Sequence, residues 1–165
     1  MERLVDPAKL KAQTAYNAAS DHFDDEPLAF WARSGSRIVE RLGLPAGAKV
    51  LDVGCGTGAS AIPAARAVGP TGLVIGVDLA DRLLERGREK ARRQRLSNVE
   101  FRKADMENLG YRDGEFDAVT APHLRRAALV CRLKTDPSRL MLRPLVCSCP
   151  RVCLPFRTSL SPRLS

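Results

Sequence analysis

The run VLDVGCGTGAS, residues 50–60, is the feature that most narrows what this chain can become. An apolar stretch halts at Gly54, Gly56 and Gly58, and small residues follow. A buried strand, a tight turn and the first turn of a helix read this way. Glycine opens backbone conformations closed to other residues and lets a ligand press on the main chain where a Cβ would clash. A strand, glycine turn and helix in that order serve nucleotide-like ligands.

The same alternation continues along the chain. KVLDV (49–53) is the first strand, and Ser60 to Val68 reads as a helix with Pro63 in its first turn, where proline is tolerated. Gly69-Pro70-Thr71-Gly72 is a turn, and LVIGVD (73–78) is the second strand. Residues 81–95 form a charged helix that turns Leu83, Leu84 and Ala91 inward and leaves Glu85–Glu89 and Arg86–Lys90 to solvent. NVEFRKAD (98–105) and EFDAVT (115–120) supply a third and a fourth strand. Strands separated by helices predict crossover connections and a parallel sheet, so the class is α/β, doubly wound and Rossmann-like. Upstream, Asp6-Pro7 starts a helix that runs to about Ala19, with Leu10, Ala15 and Tyr16 on its apolar side. An acidic turn, DHFDDEPLAF, leads to a second helix opened by Pro27 and closed by Gly43 and Pro45. Leu28, Trp31, Ile38, Val39 and Leu42 mark its apolar stripe.

The loop's details choose among nucleotide ligands. Dinucleotide folds use G-x-G-x-x-G, whereas this loop is G-x-G-x-G. Asp52 stands two residues before the first glycine, where a carboxylate suits an ammonium or sulfonium better than a pyrophosphate. S-adenosylmethionine carries both cations and no phosphate; NAD(P) or FAD on an oxidoreductase domain is the alternative. Asp78 follows Gly58 by 20 residues and ends the second strand, placed to accept hydrogen bonds from both ribose hydroxyls. Asp105 ends the third strand, within reach of an adenine amino group, and Met106 beside it is placed to cover the ring. All three acids fall at strand C-termini, the edge where open α/β sheets bind ligands. Plainer roles stand beside these: a helix cap at Asp78 or Asp105, a core aromatic at Tyr16, a small packing residue at Cys55.

VLDVGCGTG, the acid of GVDLA, ADMENL and EFDAV resemble the successive motifs of class I SAM-dependent methyltransferases. The wording is similar to the small-molecule branch that includes ubiquinone and menaquinone biosynthesis methyltransferases, and AYNAASDHFDDEPLAFW resembles that branch's helical lid. The resemblance spans about residues 12–120. It implies a lid over 1–45 and a cofactor-binding Rossmann-like half over 46–120. It implies that Asp52 and the Gly54–Gly58 backbone, Cys55 included, hold the methionyl part of S-adenosyl-L-methionine. Asp78 would take the ribose, Leu79 would pack on the adenine, and Asp105 with the Met106 amide would read its edge. Tyr16 would be the lid aromatic. Methyl transfer from a sulfonium asks mainly for alignment and exclusion of water, with a general base for some acceptors. A small-molecule acceptor is implied, no metal is needed, and no residue stands out as catalytic.

A chain of 165 residues has room for about one domain. Residues 1–120 carry 18 basic and 18 acidic groups, while 121–165 carry nine basic groups against Asp136 alone and so hold the whole net charge of +8. All 12 glycines precede that boundary, and four of the five cysteines follow it. The expectation is a sheet cut short after its fourth strand, followed by an irregular, unrelated tail whose bias matches a GC-rich message read out of frame. HLRRAALVCRLK could still form a helix and LMLRPLVCSC a strand over the exposed edge. The tail's arginines lack the aromatic interleaving of a nucleic-acid binder, and Cys147, Cys149 and Cys153 lack a standard zinc spacing. No apolar run is long enough for a membrane span, and MERLVDPAKL has no apolar signal region, so the cytoplasm is expected.

Overall fold

The computed structural model describes residues 6–25, 30–112 and 114–121. The elements expected in the tail, its cysteines, and the opening of the second helix at Pro27 and Leu28 lie outside the described residues. In chain order the structure has α1 (Pro7–Ala18), a short 3-10 turn (Ser20–His22), α2 (Phe30–Leu42), β1 (Lys49–Val53), α3 (Ala61–Val68) and β2 (Leu73–Asp78). After these come α4 (Asp81–Arg93), β3 (Val99–Lys103) and β4 (Ala118–Thr120).

The strands form one parallel sheet in the order β3-β2-β1-β4. The register pairs Lys49 with Leu73 through Val53 with Val77, and Val50 with Ala118. Central strands covered on both faces read as continuous apolar runs, and Val50, Leu51 and Val74 are wholly buried. One face packs Val39 of α2, Ala61, Ile62 and Val68 of α3, and Leu84 and Ala91 of α4 against Val50, Val74 and Phe101. The other face is covered, among the described residues, by the irregular segment after β3, through Leu109, Tyr111 and Phe116. Helices therefore cover one side of the described sheet.

Several elements differ from expectation for local reasons. Strand β4 begins three residues late: the Asp117 N–H still donates to the Lys49 carbonyl at 2.8 Å, but Asp117 Oδ2 accepts from the Lys49 N–H at 2.8 Å and Glu115 pairs with Lys49 Nζ at 2.9 Å. Helix α4 stops at Arg93, and Arg95 enters the left-handed region at φ 55°. Helix α1 starts as read, with Asp6 Oδ1 accepting from the Ala8 N–H at 2.8 Å, but it has no buried residue. Leu10 and Tyr16 are 53% and 51% exposed, so Tyr16 is no core aromatic. In α2, Gly35 packs directly on the loop before α3: a Cβ there would stand 2.3 Å from the Ala59 carbonyl oxygen. The crossing with α3 depends on that missing side chain.

Candidate cofactor site

The cleft forms where β1, β2 and β3 end. β1 runs into Gly54, Gly56 and Gly58, whose φ values of 69°, 52° and 90° require glycine. Beside Gly54 the space a Cβ would take is open, which leaves a bare backbone shelf. The N–H groups of Gly54 and Cys55 donate to the Val77 carbonyl at 2.8 and 3.0 Å, Gly56 N–H to Asp78 Oδ2 at 2.9 Å, and Gly58 N–H to the Cys55 carbonyl at 2.8 Å. These four amides are spent inside the protein, so the shelf offers close contact rather than donors for an anion.

Asp78 does two jobs at the end of β2. Its second oxygen holds the Gly56 amide, and its first fixes the turn before α4 by accepting from the Ala80 N–H at 2.9 Å, although α4 itself has no side-chain cap. It remains half-buried at the rim, and each oxygen keeps acceptor capacity for a hydroxyl. Leu79 is half-buried beside it. Asp105 lies two residues past β3. Its Oδ1 accepts from the Glu107 N–H at 3.0 Å and its Oδ2 pairs with Lys9 Nζ at 2.7 Å. Burial raises the Asp105 carboxyl, but Lys9 and the Glu107 amide outweigh it and hold it below the ordinary carboxylate value. Met106 leans back on the apolar cluster that contains Leu109 and Phe116.

Asp52 is placed differently. It is 0% exposed beneath the loop, with Oδ1 accepting from Thr120 Oγ1 at 2.5 Å and Oδ2 from Ser60 Oγ at 2.7 Å. Burial pushes its carboxyl up to about 6, against the lowering pull of the Thr120 and Ser60 hydroxyls and the Ala61 amide. The structure thus leaves Asp78 and Asp105 half-buried at the strand ends and encloses Asp52 completely, bonded to Ser60 and Thr120. Cys55 is buried with its Cβ and sulfur against Gly76, and burial drives its thiol well above the ordinary value.

Helix α1 lies over the ends of β2 and β3. Lys9 binds Asp105 and Glu107, Gln13 Nε2 donates to Asp81 at 3.4 Å, and Asn17 Oδ1 accepts from the Arg82 N–H at 3.1 Å. Tyr16 meets Phe23 edge-on at 6.2 Å, and Phe23 reaches within 3.6 Å of where a Gly56 Cβ would stand. Arg86 and Lys90, read as solvent-facing, instead pair with Asp21 and Asp24 of the acidic turn at 3.0 and 2.5 Å. Sequence reasoning passed over Ser60, Thr120, Thr57, Asp24 and Lys90. The acidic run opposite a basic helix was the available signal for the last two.

The model of a methyltransferase domain family matches residues 44–143, which includes 23 positions beyond the point where the resemblance was drawn to end. Aklanonic acid methyltransferase DauC of a Streptomyces species is 34% identical over 111 residues, 67% of this chain and 50% of that protein. Demethylmenaquinone methyltransferase of Staphylococcus aureus is 42% identical over 84 residues, 51% of this chain and 34% of its own length. This chain therefore spans half or less of the curated relatives it matches. A solved SAM-dependent methyltransferase from Aquifex aeolicus superposes with a TM-score of 0.54 at 26% identity, over 64% of this chain and 55% of that one. The chain belongs to the methyltransferase domain family, whose S-adenosylmethionine-dependent members share its fold.

Proposed function

We propose that this chain binds S-adenosyl-L-methionine along the Gly54–Gly58 shelf and passes its methyl group to a small-molecule acceptor. The observation that carries the reading is the spent loop: four amides that a pyrophosphate would need are bonded internally, while two carboxylates at strand ends front the cleft. That pairing suits a phosphate-free, cationic adenosine compound and disfavours the NAD(P) or FAD alternative.

Asp78 would accept from the ribose hydroxyls while still bracing Gly56. Leu79 and Met106 would bound the adenine, with Asp105 and the Met106 amide at its edge. Asp52 would act from beneath, holding Ser60 and Thr120 so that the loop keeps its shape. Residues 1–45 would be the lid, with Tyr16 over the cleft. When bound, the cofactor supplies a methyl group already activated by its sulfonium. What the protein adds is orientation and a dry cleft. The acceptor class is supported by the relatives named for aklanonic acid and demethylmenaquinone. Among the described residues no helix is long and apolar enough to cross a membrane.

Titration calorimetry of the full chain with S-adenosylmethionine, S-adenosylhomocysteine and NAD tests the binding half of the proposal. Binding of the first two and not the third is expected; NAD binding with neither of the others would overturn it. Methyl transfer from labelled cofactor to aklanonic acid or demethylmenaquinone tests turnover. Cofactor binding with no transfer to any such acceptor would leave the chain a binding module.

A further inference from the structure

We infer that Thr57, held between Asp24 and Lys90, is a positioning residue that sets the glycine loop for the cofactor. The inference rests on the loop being the cofactor site. Three residues from three separate segments meet at one point. Thr57 Oγ1 donates to Asp24 Oδ1 at 2.8 Å and accepts from Lys90 Nζ at 2.9 Å, while Lys90 Nζ bonds Asp24 Oδ1 at 2.5 Å. The hydroxyl donates once and accepts once, and both partners are charged. Thr57 is 2% exposed, and the side chains of Asp24 and Lys90 are about one-third exposed. A pocket of about 190 Å³ opens beside the tie, walled by Phe23 and Trp31.

Position decides what this tie does. Thr57 lies between Gly56 and Gly58, which have no side chains of their own to reach other segments. The bonds made by the two glycines run to the Asp78 carboxylate at the end of β2 and to the Cys55 carbonyl within the loop. Thr57 alone among these three links the loop to both α4 and the acidic turn that follows α1. A loop fixed before the ligand arrives loses less conformational entropy on binding. Loss of the tie is therefore read mainly in cofactor affinity.

The test uses the full chain with Thr57→Val, Thr57→Ser, Lys90→Met and the Val/Met double variant, titrated with S-adenosylmethionine and unfolded in urea. Thr57→Val is expected to raise Kd about tenfold, the worth of a charge-assisted hydrogen bond. Thr57→Ser keeps the hydroxyl and stays within about threefold. Lys90→Met raises Kd about threefold in the parent and adds nothing in the Val background, because the shared contact is already gone. An unchanged Kd in Thr57→Val, equal losses in Val and Ser, or additive effects in the double variant would each overturn the inference. Should Thr57→Val fail to fold, Lys90→Met decides alone, and an unchanged Kd there is equally fatal. A parent chain that binds no S-adenosylmethionine removes the site reading and this inference together. A parent that binds, with variants that bind equally well, removes this inference only.

Discussion

The glycine loop and α1 meet at the same cleft but are held by opposite means. The loop is fixed from inside: Val77 and Asp78 hold its amides, and Asp52, Ser60 and Thr120 form a buried network under it. Helix α1 buries no residue and is held by Lys9, Gln13 and Asn17, whose bonds are part-buried or exposed, and by Tyr16 against Phe23. Buried hydrogen bonds in a low dielectric resist exchange with water, whereas exposed ion pairs are worth little and are screened by salt. Under the proposed function the two regions divide the work: a preformed seat and a cover that opens at low cost.

The largest expected effect lies where the seat meets α2. Gly35→Ala drives a Cβ into the Ala59 carbonyl and should cost about 3 kcal/mol of stability, read by urea unfolding. A variant as stable as the parent would show that the α2–α3 crossing is loose. Next comes the buried carboxylate. Asp52 has a folded value near 6, above its ordinary 3.8, so folding takes up a proton between those values. Its contribution is fully present below about pH 4 and is lost as pH rises through 6, about 3 kcal/mol in all. Stability of Asp52→Asn measured from pH 4 to 7 should lack that fall; parallel profiles would remove the buried-network account.

Asp78→Ala should then weaken S-adenosylmethionine binding by about 1–3 kcal/mol, through lost ribose contacts and a freed Gly56 amide. Calorimetry that finds unchanged affinity would take Asp78 out of the site. The smallest effect belongs to the cover. Lys9→Ala should leave the unfolding midpoint where it is, yet speed amide hydrogen exchange in α1 relative to β1 and β2. Exchange in α1 as slow as in the sheet would erase the contrast drawn above.

How much could be read without coordinates follows the same division. β1 and β2 match their expected residues end to end because a strand buried on both faces leaves a continuous apolar run. The loop and Asp78 were legible because glycine spacing and strand ends fix position within a few residues. Helix α1 was recognisable from its Asp6-Pro7 start, but its apolar face was not, since Leu10 and Tyr16 face solvent. Gly35 was missed because a periodic pattern counts side chains and a close crossing is made by the lack of one. The ties of Asp24 to Thr57 and Lys90 join residues 33 and 66 apart; the acidic run and the basic helix hinted at the ion pair, but nothing local announced Thr57.

One buried atom has a further consequence. Under the proposed function the loop cradles an alkylating agent, which puts the loop's own nucleophiles at risk, and this loop carries a sulfur. Cys55 is enclosed against Gly76 and its proton is hard to remove, so the reactive thiolate is scarcely present. The same packing that shapes the turn shields the protein from modifying itself.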